Sequence, residues 1–66
     1  MPPSSDAAEL SSLRTQVEEL TDRLVAVGDR YRETDDSAVA SELDQAERSL
    51  GAARRSVDRA IGLLVS

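Results

Sequence analysis

Residues 31–39 read Tyr31-Arg32-Glu33-Thr34-Asp35-Asp36-Ser37-Ala38-Val39, and this stretch decides the fold. Upstream of it, apolar residues recur at Leu10, Leu13, Val17, Leu20, Leu24, Val27 and Tyr31, in alternating steps of three and four. One face of an α-helix carries such a stripe when it packs in the heptad manner. Continued in the same phase, the stripe would meet Thr34, Ala38, Ser41, Gln45 and Arg48, which are mostly polar. Instead a second stripe starts afresh and runs through Val39, Leu43, Ala46, Leu50, Ala53, Val57, Ala60 and Leu64. Between the two lie Thr34-Asp35-Asp36-Ser37, poor helix formers that favour caps and turns. The spacing therefore predicts a disordered start at 1–4, a helix over 5–33, a turn at 34–37 and a second helix over 38–64. Ser5 or Asp6 is the expected first cap, with Asp6 and Glu9 spaced as a capping box.

The two stripes mirror each other. Folded about Asp35, the chain sets Tyr31 against Val39, Val27 against Leu43, Leu24 against Ala46 and Leu20 against Leu50. Val17 then meets Ala53, Leu13 meets Val57 and Leu10 meets Ala60. Alanine at every seventh position of the second helix permits close approach of the helix axes. The expected fold class is all-α, an antiparallel two-helix hairpin of coiled-coil type with an Ala-rich second helix.

Charge supports the same topology. Residues 1–22 carry a net −4 and residues 48–66 a net +3, and an antiparallel hairpin lays these blocks side by side. Each helix is expected to carry acid early and arginine late, as its dipole favours. Glu19–Arg23 and Asp44–Arg48 are spaced as i,i+4 pairs. Arg14 and Arg54 flank the seam and are expected near each other, an arrangement pointing to service for a partner. Gly28 falls beside the seam near Ala40, and Gly51 on the outer side.

Composition narrows the possible functions. The 66 residues contain no cysteine and no histidine, so neither a disulfide nor a Cys/His metal site can form. The paired turn residues Asp35 and Asp36 lack the further converging ligands that a metal needs. Serines are plentiful, but neither histidine nor lysine is present to activate one. No Gly-rich phosphate loop appears. The expectation is a chain that is not an enzyme and takes no cofactor. Its net charge of −5 suits nucleic acid poorly. No stretch approaches the roughly 20 apolar residues of a membrane span, and the start lacks the pattern of a signal peptide. A cytoplasmic location follows as an expectation. All eight basic residues are arginine, a usage that points to a GC-rich bacterial genome.

In outline the chain resembles the helical-hairpin substrates of type VII secretion, but it has no tryptophan for their Trp-x-Gly turn. It is similar in length and acidity to the prokaryotic ubiquitin-like modifier, yet it has no lysine and ends in Leu64-Val65-Ser66 rather than Gly-Gly-Gln or Gly-Gly-Glu.

Protein contact remains. Two short helices bury one stripe each, and at this size burial roughly balances about 1.5 kcal/mol of entropy per ordered residue. Further buried area is expected from a homodimer, a four-helix bundle built from two hairpins. The candidate partner-binding residues are Arg48, Arg54, Arg55 and Arg59 on the second helix, Ile61, Leu63 and Val65 at the open end, and Tyr31 by the turn. The expected role is a scaffold or adaptor. The alternatives are a regulatory subunit that occupies a groove on an enzyme or transcription factor, and a peripheral membrane protein using residues 61–65.

Overall fold

The computed structural model describes residues 3–65. They form two α-helices of 29 residues each, α1 (Pro3–Tyr31) and α2 (Ser37–Val65), packed against each other. A helix of that length spans about 43 Å, and the pair makes a rod of 52 × 14 × 12 Å.

α1 begins at Pro3, two residues before the expected start, so Ser5 and Asp6 stand inside its first turn rather than capping it. Proline is compatible with a first helical turn because the N–H it lacks would find no acceptor there. The remainder of the expected disordered start, Met1 and Pro2, lies outside the described residues. α1 ends at Tyr31 rather than at 33, because Glu33 adopts the left-handed conformation (φ 65°), which no helix can continue through.

Thr34 organises the turn that follows. Its amide and its hydroxyl both donate to the Tyr31 carbonyl oxygen, at 3.2 and 2.6 Å, and its Oγ1 accepts from the Asp36 amide at 3.2 Å. Two backbone groups between the end of α1 and the start of α2 are thereby satisfied by one side chain. The Asp36 carbonyl then accepts from the Val39 amide at 2.9 Å and opens α2. Only α1 carries the expected dipole complement, with Asp6 in its first turn and Arg30 in its last; α2 has neither. The acids Asp35 and Asp36 stop short of α2, and Arg59 lies more than a turn before its end.

The helices pack on a face rotated from the expected one. Along α1 a row screened from solvent runs through Ala7, Leu10, Arg14, Val17, Thr21, Leu24 and Gly28, flanked by half-buried Ser11, Val25 and Val27. Along α2 the matching row is Ala40, Leu43, Glu47, Leu50, Arg54, Val57 and Ile61. Leu10, Val17 and Leu24 keep their expected inward place, as do Leu43, Leu50 and Val57. Leu13, Leu20, Tyr31, Val39, Ala53 and Leu64, all expected in the seam, are exposed. Val27, Ala46 and Ala60 lie at its margin, half-buried. With 100° per residue, the shift amounts to roughly 50° on each helix.

The register moves with the rotation. Arg14 meets Asp58 and Glu18 meets Arg54, and a Cβ built on Gly28 would lie 3.5 Å from the Leu43 Cβ. The fold point is therefore one residue later than expected, at Asp36. Two physical features hold the rotated face inward. Small residues sit at its ends, where Ala7, Gly28 and Ala40 are the most buried positions among those described. Charged side chains that pair across the helices occupy its middle. No side chain larger than alanine is fully buried among the described residues.

Candidate functional site

In an antiparallel helix pair, residues four beyond the contact row lie on one side of the pair in both helices, and residues three beyond it lie on the other. The hairpin consequently has two unlike long sides.

The first is polar. Arg14 donates from Nη1 to Asp58 Oδ1 at 2.7 Å. Arg54 lies 3.6 Å from the other oxygen of Asp58 and 3.7 Å from Glu18. Asp58 thus sits between Arg14 and Arg54, a structural reason for the two arginines being near each other. The hydrogen bond to Asp58, helped by that residue's charge, raises the Arg14 pKa above its ordinary value. Nearer the turn, Arg32 forms a two-pronged pair with Asp44, Nη1 to Oδ2 at 3.1 Å and Nη2 to Oδ1 at 3.0 Å. It also donates from Nε to Asp29 at 3.3 Å. Hydrogen bonds to Asp44 and then Asp29 push the Arg32 pKa up, and the same bond to Arg32 holds the Asp44 carboxyl below its usual range. Asp44, expected to serve Arg48 along the helix, is engaged across the hairpin. Arg48 donates to the Gln45 side chain.

The second side is apolar. Leu13 (43% exposed), Leu20 (49%), Val39 (40%) and Leu64 (37%) open onto it, with Ala53 exposed among them and Tyr31 (36%) by the turn. Two shallow grooves mark it. One lies near the open end, lined by Leu10, Leu13 and Leu64 and edged by Asp6 and Glu9. The other lies along α1, lined by Leu20, Leu24 and Val27 and edged by Arg23. Large apolar side chains lying side by side in water are the usual mark of a contact surface.

The candidate partner-binding residues do not form one patch. Arg54 turns toward α1 and is engaged there, whereas Arg55 is exposed and Arg59 donates to Ser56 at 3.0 Å. Ile61 faces α1 and is half-buried, while Leu63 and Val65 are 80% and 66% exposed. Gly51, expected on the outer side, lies beside Thr21 and Arg54 on the polar side. The apolar residues of the second side were visible in the sequence, but as hairpin core. Their exposure follows from the rotation of the two helices, which the 3–4 spacing does not specify.

Among the described residues there is no group of three or more acids placed to hold a metal ion. Nor is any described helix long and apolar enough to cross a membrane. No protein-family model, curated protein or solved structure matches the chain.

Proposed function

We propose that this chain is a non-enzymatic interaction module of the cytoplasm, a scaffold or adaptor that works by packing helix on helix and associates with itself. One observation carries the reading. Leu13, Leu20, Val39 and Leu64 stand more than a third exposed along one long side of the hairpin, while on the other side Arg14 pairs with Asp58 and Arg32 with Asp44 within the chain. An isolated hairpin gains nothing from holding leucines in water, and a helical partner laid on that side would remove them from it. The half-buried interior supports the same reading, since the largest described apolar side chains are only partly withdrawn from solvent.

A regulatory subunit that lays the same side in a groove of another protein is the second reading, and the same apolar row favours it. Attachment to a membrane through residues 61–65 is weaker. Ile61 faces α1, and a net charge of −5 is repelled by anionic lipid.

Molar mass by light scattering over a hundredfold range of concentration, with helicity followed by circular dichroism, tests the proposal. A helical dimer or tetramer supports self-association. A weakly helical monomer that gains helicity only with a different protein moves the reading to the regulatory subunit. A monomer that is fully helical and melts cooperatively at every concentration refutes self-association.

A further inference from the structure

We infer that the occupant of the apolar side is a second copy of the chain, turned end for end, so that each copy's turn lies against the other's open end. The inference rests on the helix-packing reading above and gives it a partner and an orientation.

Area favours a partner of this size. The chain exposes 4830 Å², against about 4,100 Å² for a compact monomer of its 7.1 kDa mass. The excess is close to the roughly 800 Å² that each partner contributes to a stable interface. A 52 × 14 Å side can supply such an area only if the copies overlap along their whole length.

Charge chooses the orientation. The groove at the open end is edged by Asp6 and Glu9, and the groove further along α1 by Arg23. The midpoints of the helices are Val17 in α1 and Gly51 in α2. A two-fold axis crossing the apolar side at those midpoints brings Glu9 of one copy within a turn of Arg23 of the other, twice per dimer. Leu13 comes within a turn of the second copy's Leu20, and Leu64 level with its Val39. With both turns at the same end, the two turn halves would lie against each other. Residues 23–47, the turn half, carry a net −4, whereas the open half carries −1. The end-for-end arrangement keeps the two −4 halves apart.

The test uses the full chain with a single Asp35→Cys substitution in the exposed turn. The natural sequence has no cysteine, so one spin label reports one site. Dipolar spectroscopy on the dimer is expected to give a label-to-label distance near the 52 Å length of the rod. A distance under roughly 25 Å, which packed helices 8–10 Å apart plus two label linkers would give, overturns the orientation and leaves the interaction reading standing. A monomer by light scattering at every concentration overturns the second copy as occupant and, with it, self-association. Charge exchange supplies an independent arm. Glu9→Arg alone and Arg23→Glu alone are each expected to weaken the dimer by roughly tenfold at low salt, and the two together to restore it. Failure of the double exchange to restore it overturns the pairing of the groove edges.

Discussion

Replacing Leu20 by glutamate separates the energetics of the hairpin from those of its apolar side. Leu20 is 49% exposed, so about half of its surface is already covered within the hairpin. Full burial of a leucine is worth about 1.5–3 kcal/mol, which leaves roughly 1 kcal/mol realised within the hairpin and roughly 1 kcal/mol for a partner to supply. Glutamate and leucine are nearly equal as helix formers, so the hairpin itself loses only about 1 kcal/mol and remains helical. A dimer loses the partner's share in both copies, about 2 kcal/mol, or roughly thirtyfold in Kd. Enclosing a carboxylate adds to that, because its lost hydration is not replaced by apolar neighbours. The expected result is at least a hundredfold weaker association with a helical spectrum little changed. Light scattering and circular dichroism on the same samples read both quantities, with Arg55→Ala on the exposed face of α2 as the control that leaves mass unaltered. An unchanged mass for Leu20→Glu at every concentration refutes the assignment of this side as an interface.

Three further outcomes follow from the geometry. Gly28→Ala is expected to raise stability by about 1 kcal/mol through helix propensity, because its new Cβ would meet the Leu43 Cβ at 3.5 Å, an ordinary contact; thermal melts at fixed protein concentration check it, and a lower melting temperature would mean that the helices lie closer than described. Glu33→Gly is expected to stabilise the hairpin by about 0.5–1 kcal/mol in denaturant titrations, since glycine adopts the left-handed conformation at position 33 without the steric cost a side chain brings. Asp44 has a folded pKa lowered chiefly by its hydrogen bond to Arg32, so its contribution is present above the unfolded carboxylate value of about 4 and is lost as pH falls through the folded value. The stability gap between the natural chain and Asp44→Asn should therefore be widest near neutral pH and close on acidification, and a gap independent of pH would show that the pair contributes nothing.

The glycines and the charge pairs show how far local rules reach. The sequence places Gly28 beside Ala40, a pair that would permit close backbone contact. The structure confirms that both positions are buried, yet it leaves room for a methyl group at residue 28. Asp44 is equally well spaced for Arg48 along its own helix and for Arg32 across the turn. Arg32 prevails because the turn brings the Nη1 and Nη2 edge of its guanidinium to both carboxylate oxygens.

What the sequence determined by itself was the pair of helices, their antiparallel course and the place of the turn. Each of these depends on spacing along the chain. Apolar residues at alternating three and four steps dictate a helix, and the break of phase at Thr34 to Ser37 forbids a single long one. Only the tertiary structure decided which face of each helix turns inward. Leu10, Val17 and Leu24 accept neighbours from either flank, so the stripe permits the row through Leu13, Leu20 and Val27 or the row through Arg14, Thr21 and Gly28. The choice rests on interactions between residues far apart in the chain, Arg14 with Asp58, Glu18 with Arg54 and Gly28 against Leu43. Those interactions exist only after the turn has set the register, and the turn includes the left-handed φ of Glu33 and the hydrogen bonds of Thr34, which composition and periodicity do not encode.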